Sequence, residues 1–363
     1  MKTKVLFLHK CFVKGGGIER VHQNLAFALS EQSVESSFFI LDGFNKSEEG
    51  FTLLQRQHKA QRAPKKANLI CKLNSLFESV KSQNITAIIS ATETANISAF
   101  ICKLRFPHVQ IVYTRHCAFD VSDQRLPPFA IKLLYSLYLL NGNVVAVSNS
   151  LQKQISASVI WGKKKIHFIP NAVVSDKILA LSLHDEELEV EGQYFIAVGR
   201  LVEQKGFDLL LKAYCIAVNE DNSLPKLFIA GEGEEEQHLK ELAIELGISK
   251  LVHFLGFVSN PYCIIKSASA FILSSRHEGM PTVLVEAMAL GTPVIAFNCP
   301  TGPDELIIDA QNGSLVEHLN VNKLAESIID FSSLPRSNLD KTVEHFSYSK
   351  VASSYAAIIG ESV

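Results

Sequence analysis

Short apolar runs of four or five residues alternate with longer helical patterns along this whole chain, and that rhythm admits few architectures. Runs of this length bounded by turn residues read as buried strands. The helical patterns between them supply the crossovers that parallel strands require. Strand candidates in the first half fall at residues 4–8, 37–41, 87–90, 110–114, 144–148 and 166–170. In the second half they fall at residues 194–198, 226–230, 252–255, 270–274, 293–296 and 313–316. The fold class is therefore α/β, with two Rossmann-like sets of strands and helices. A length of 363 residues suits two such domains. Strand signals lapse between Asn171 and Gln193, around the polar run His184-Asp185-Glu186-Glu187. The expected domains are thus 1–175 and 176–345.

An apolar content of 47% with 20% charged residues describes a globular chain with ample core. The apolar run Val5-Leu6-Phe7-Leu8 is shorter than a secretory signal needs. The stretch 126–140 carries Lys132 and is too short to span a bilayer. The expectation is a chain neither secreted nor integral to a membrane. Cysteines at 11, 71, 102, 117, 215, 263 and 299 are odd in number and form no Cys-x-x-Cys pair. A disulfide framework or zinc site is not expected, and a reducing cytoplasm is the expected location.

Charge divides the chain. Residues 1–175 hold 22 Lys and Arg against 10 Asp and Glu, whereas residues 176–363 hold 13 against 27. Much of the basic excess sits in Arg56, Lys59, Arg62, Lys65, Lys66 and Lys72, leading into an apolar pattern from Leu69 to Phe77. Basic and apolar faces on one segment suit an anionic membrane surface; the alternative is an ordinary solvated loop and helix face. No nucleic-acid motif accompanies the charge, so nucleic acid is not an expected partner.

Ligands of open α/β sheets gather at the carboxyl ends of strands, and the chemistry-bearing residues cluster there. Lys14-Gly15-Gly16-Gly17 trails the first strand and precedes a helix expected from about Ile18 to Ser30. Its glycines permit close backbone approach and the helix start offers amides to a phosphate, although a flexible turn looks the same. Arg115-His116 follows the strand at 110–114. A neutral imidazole there can serve a sugar hydroxyl or be structural, and Arg115 can be an ion-pair partner or an acceptor-phosphate ligand. Gly199-Arg200 and Lys205 lie in one turn after 194–198, where two cations can hold a diphosphate. Gly231-Glu232-Gly233 lacks the third glycine of a dinucleotide fingerprint and is followed by Glu234, Glu235 and Glu236. It reads as a tight turn rather than a nicotinamide site.

The most informative stretch is Glu278-Gly279-Met280-Pro281-Thr282-Val283-Leu284-Val285-Glu286. Pro281 suits a first helical position and Gly291 suits a stop, which predicts a helix from about Pro281 to Leu290. The amides of Gly279, Met280 and Thr282 then form an anion site at the helix tip, with Glu278 just outside it and Glu286 on the flank. That arrangement fits a nucleotide diphosphate sugar; an ordinary capped helix with a surface glutamate is the alternative.

Together these residues resemble the retaining glycosyltransferases of family 4, which have the GT-B fold of two Rossmann-like domains facing a central cleft. The resemblance is carried by Gly199-Arg200 with Lys205-Gly206, Gly231-Glu232-Gly233, Phe254-Leu255-Gly256-Phe257, Ser274 to Pro281, and Glu286 to Ala296. Gly15 to Arg20 and Ile169-Pro170-Asn171 extend it into the first half. It implies a nucleotide-sugar donor, read as a uridine diphosphate sugar, and transfer with retention to a lipid- or polysaccharide-linked acceptor of the cell envelope. By the same resemblance Arg200 and Lys205 hold the diphosphate, Glu286 the ribose, and Glu278 with the Gly279 and Met280 amides the transferred sugar. Phe257 and Val258 border the base, while His116 and Gly15, Gly16 and Gly17 approach from the first domain. No metal is expected, and the helix near residues 348–359 is expected to cross back onto the first domain. Ala172-Val173-Val174 departs from the Gly-Val-Asp that often follows Pro-Asn in the family. Sugar-nucleotide epimerisation, glycan phosphorolysis and an inactive donor-binding partner subunit are the competing functions. The expected location is cytoplasmic, with peripheral contact on an anionic inner membrane face.

Overall fold

The structure, a computed structural model, describes residues 3–13, 17–42, 48–64, 67–116, 127–183 and 192–360. It separates into two compact units: Met1–Ala172 with Tyr348–Val363, and Val173–Ser347.

The described residues of unit 1 form a seven-stranded sheet in the order β3-β2-β1-β4-β5-β6-β7. These strands are β1 (Lys4–His9), β2 (Glu35–Ile40), β3 (Lys59–Arg62), β4 (Ala87–Ala91), β5 (Gln110–Arg115), β6 (Asn143–Ala146) and β7 (Ile166–Phe168). Every pairing is parallel. β1 is buried from Val5 to His9, as a strand covered on both faces must be. β3 is the strand that hydrophobicity did not announce. Its sequence Lys-Ala-Gln-Arg alternates exposed and half-buried positions at the sheet edge, so no apolar run marks it. Polar and charged residues on an edge strand also discourage pairing with another chain.

The final helix, Tyr348–Gly360, packs in unit 1 against helix Gly17–Glu31. Gln32 Nε2 donates to Ser353 Oγ at 2.9 Å, and Tyr348, Val351, Tyr355 and Ile359 join the core that holds Leu25 and Leu29.

In unit 2 the order is β10-β9-β8-β11-β12-β13, again parallel. The strands are β8 (Tyr194–Val198), β9 (Lys226–Ala230), β10 (Val252–Gly256), β11 (Ala270–Leu273), β12 (Val294–Phe297) and β13 (Ser314–Val316). Its core gathers around Phe195, Leu210, Tyr214, Leu227, Ile272, Phe297 and Leu324. Near the junction Val173 and Val174 both donate backbone bonds to Phe346 O, at 3.0 and 3.1 Å. The polar run 184–187 and Gly15-Gly16 lie outside the described residues. Among the described residues no helix is long and apolar enough to cross a membrane.

Candidate functional site

Chain progression in unit 2 runs outward from β8 through β9 and β10, and in the other direction through β11, β12 and β13. The connections therefore diverge between β8 and β11, and a crevice opens at the carboxyl ends of those two strands. The loop after β8 carries Gly199, Arg200 and Lys205, and the loop after β11 carries Ser275, Arg276, His277 and Glu278. Main chain ties the two loops together. Arg276 N donates to Gln204 O at 2.8 Å. Gln204 Nε2 donates to His277 O at 3.0 Å, and Ser274 Oγ donates to Lys205 O at 3.0 Å.

Across this seam Lys205 Nζ donates to Glu278 Oε1 at 2.7 Å, and Ser275 Oγ donates to the same oxygen at 2.6 Å. The lysine and glutamate side chains are 18% and 8% exposed. Both bonds fall on Oε1, which leaves Oε2 able to accept from a hydroxyl. Arg200 is exposed and makes no ion pair among the described residues, so its charge is available to an anion. Arg276 instead serves the scaffold, gripping Asp208 through two bonds of 2.8 Å. Burial works to raise the Asp208 carboxyl, but hydrogen bonding and charge from Arg276 outweigh it and hold the group below its ordinary range.

The helix beyond Glu278 spans Thr282–Ala289, with Pro281 as the capping residue at φ −75° and Gly291 at φ +77° after the stop. Proline thus stands one place before the first helical position rather than in it. The turn Gly279–Pro281 is clamped by the loop after β12. Thr301 Oγ1 donates to Glu278 O, and a Cβ on Gly302 would lie 2.6 Å from Pro281 Cδ. Met280 and Glu286 are buried, the latter to 2% exposure. Cys299 lies near Glu278, and burial first, then that carboxylate, pushes its thiol up to about 12, so it stays protonated.

The glycines at the other strand ends have packing reasons. Gly231 N donates to Gly256 O at 2.7 Å, and a Cβ on Gly231 would meet Gly199 O at 1.8 Å. A Cβ on Gly233 would meet Leu201 O at 2.1 Å. The loops after β8, β9 and β10 are thereby stacked along one edge, with Phe257 exposed and Val258 half-buried just past β10.

In unit 1, His116 follows β5 and its Nε2 lies 2.9 Å from Thr114 Oγ1. Behind it stand two fully buried imidazoles. His22 Nδ1 is 3.0 Å from His9 Nε2, and the His22 ring centroid is 5.7 Å from that of His116. Burial, then neighbouring ring charge, pushes His9 down to about 3 and His22 well below its ordinary value. Burial, then Arg115, pushes His116 down to about 4. All three are neutral at pH 7. Arg115 is buried in an ion pair with Glu93, with Tyr135 beside its guanidinium, which settles its place as an internal partner. Gly17 is the first residue of helix Gly17–Glu31.

Sequence pattern pointed to Lys205 and Glu278 separately but not to their contact, since 73 positions part them. Thr301 and Asp208 carry no motif signal, and Ser275 and Arg276 lie within the stretch that carries the resemblance without a role assigned by it; only the folded register shows what each one holds.

Residues 15–177 match the model of Glycosyltransferase Family 4, and residues 182–348 match that of the Glycosyl transferases group 1. An uncharacterized glycosyltransferase of Haemophilus influenzae is 28% identical over 86% of each chain. The lipopolysaccharide core biosynthesis glycosyltransferase LpsE of Rhizobium meliloti is 26% identical over 90% of this chain and 87% of its own. The crystal structure of Anabaena HepE in complex with UDP superposes with a TM-score of 0.80 at 19% identity, covering 99% of this chain and all of that one. The architecture is GT-B, and with a family 4 domain followed by a group 1 domain the chain belongs to the glycosyltransferases.

Proposed function

We propose that this glycosyltransferase moves a sugar from a uridine diphosphate sugar to a hydroxyl of a lipid- or polysaccharide-linked acceptor of the cell envelope, with retention at the anomeric carbon. The observation that carries the donor side is the Lys205–Glu278 pair set across the β8/β11 crevice, with the exposed Arg200 in the same loop as Lys205. Two cations, with the amides of Gly279 and Met280 in the turn that leads into helix Thr282–Ala289, suit a diphosphate leaving group, and Glu278 and Glu286 suit sugar and ribose hydroxyls. HepE binds UDP and LpsE builds lipopolysaccharide core, which supports the same reading of donor and acceptor.

In the reaction the bond from the anomeric carbon to the diphosphate oxygen breaks and its electron pair leaves with the diphosphate. Arg200 and Lys205 neutralise that developing charge. Glu278 is engaged by Lys205 and Ser275, a setting for holding a hydroxyl rather than for attacking the sugar. The acceptor oxygen then bonds the anomeric carbon from the same face, through an oxocarbenium-like ion pair, and passes its proton to the departing phosphate. In unit 1, His116, neutral and held by Thr114, has the chemistry to bond a hydroxyl. Since protein cations do the neutralising, no divalent metal takes part. The enzyme works at the cytoplasmic face of a membrane that carries the acceptor.

Incubation with a panel of nucleotide sugars, with and without membrane extract, tests this directly. Nucleotide release that depends on both a UDP-sugar and the extract, and an α-linked product from an α-linked donor, is the expected result. Donor isomerisation without acceptor would make the protein an epimerase, and phosphate-dependent release a phosphorylase. Excess EDTA should leave the rate unchanged; a large loss restored by a divalent cation would overturn the metal-free mechanism.

A further inference from the structure

The helix Pro128–Asn141 in unit 1 carries large apolar side chains on its outer face. Phe129, Leu133 and Leu140 are 73%, 50% and 60% exposed. At 3.6 residues per turn these three lie within about 40° of one another around the axis. Ser136 falls on the same stripe, and it is covered by the loop ahead of β7. Ile160 N donates to Ser136 Oγ at 3.2 Å, and Trp161 Nε1 donates to Ser136 O at 2.6 Å. Gly162, at φ +77°, presses so close that a Cβ would sit 2.6 Å from Leu139 Cβ. Ile160 and Trp161, 69% and 39% exposed, therefore extend the stripe. Elsewhere on the helix Tyr135 and Tyr138 are buried in the core.

The segment that carries this stripe has charge of one sign. Residues 128–175 contain five lysines, at 132, 153, 163, 164 and 165, and no Asp or Glu. Lys132 and the run Lys163 to Lys165 are exposed. Isolated surface apolar residues need no explanation, but a contiguous stripe rimmed by cations does. We propose that the outer face of helix Pro128–Asn141, with Ile160 and Trp161 seated on it, is a docking surface for an anionic lipid bilayer.

Three features favour lipid over a protein partner. The rim is complementary to a diffuse negative surface rather than to paired charges. The indole N–H is already satisfied by Ser136 O, so the ring can enter an apolar layer without carrying an unpaired donor. Lysine stems can lie along acyl chains while their ammonium groups reach phosphates. In the basic segment around residues 56–77, by contrast, Lys72 is paired with Asp42 and Arg62 packs over Phe51. The inference deepens the membrane-borne acceptor of the proposed function and rests on that reading for its purpose, not for its geometry.

The chain has one tryptophan, Trp161, and it lies in the proposed surface. The full chain is titrated with vesicles of phosphatidylcholine alone, or mixed with phosphatidylglycerol, some carrying brominated acyl chains. Expected are a blue shift and bromine quenching of Trp161 with the anionic vesicles only, weakening as salt rises. The variants F129S/L133S and K163E/K164E alter exposed side chains and should keep the wild-type melting temperature. Each should partition at least about tenfold more weakly. No shift with anionic vesicles, equal response to neutral ones, or unchanged partition of both variants would overturn the proposal. So would sedimentation showing a wild-type dimer that F129S/L133S dissolves, since the face would then belong to a second copy. The readout needs no turnover. Sugar transfer without any Trp161 response sinks this surface alone, whereas vesicle binding without nucleotide release sinks the proposed function alone.

Discussion

Arg200 and Lys205 stand in the same turn, yet their surroundings separate what their removal should do. Arg200 is exposed and outside any ion pair among the described residues, so Arg200→Ala should lower kcat by about 100- to 1,000-fold while leaving the melting temperature almost unchanged. Lys205→Ala should lose a comparable factor and also destabilise the protein, because it strands the Glu278 carboxylate at 8% exposure without its cation. Steady-state rates and thermal melts on the two variants check both parts together. Wild-type rates in both would remove these residues from the mechanism. At this scale sequence could name chemistry but not partners. Arg115 had two possible roles until folding placed it on Glu93, and His116 gave no hint of the buried His9 and His22 behind it.

Among elements, the strand-end glycines decide whether the site can form. Gly231 lies at φ +146° with its α-carbon against Gly199 O, so Gly231→Ala meets both backbone strain and a hard contact. It should cost about 3 kcal/mol of unit 2 stability. Gly247→Ala is the control: it has φ +73° but open space around it, and should cost only about 1 kcal/mol. Urea unfolding distinguishes them, and equal losses would show that the stacked loops are not held by close approach. The buried strands were legible because parallel sheets covered on both faces need continuous apolar runs; β8 and β9 fall at residues 194–198 and 226–230, where the runs put them. β3 was not, since an edge strand is specified by its neighbour's hydrogen bonds rather than by its own side chains. The glycine pair at 231 and 233 reads in sequence as a turn, and only the register against the β8 loop supplies its cause.

For the whole molecule, His9, His22 and His116 of unit 1 are strongly depressed and make its stability depend on pH, and burial lowers His58 of the same unit as well. Their folded values, about 3 for His9 and about 4 for His116 with His22 also low, lie below the ordinary 6.5 of an unfolded chain. Between these limits the unfolded state binds more protons, so stability is fully present above about pH 6.5 and is lost as pH falls toward 4. Each histidine contributes a slope of about 1.4 kcal/mol per pH unit in that window. In unit 2 only His253 shows a lowered value among the described residues, by burial first and then Lys226, and it is half-buried. Limited proteolysis at pH 5 should therefore cut unit 1 before unit 2, and earlier cleavage of unit 2 would contradict this account. Two independent cores, one per unit, make such a separation physically reasonable. The central claim is that the β8/β11 crevice grips the donor's diphosphate, and a crystal structure with UDP tests it most directly. The diphosphate is expected within hydrogen-bonding reach of Arg200 and Lys205, with the ribose hydroxyls on Glu286; a nucleotide lodged elsewhere, with those side chains turned away from it, would mean that this crevice does not bind the donor.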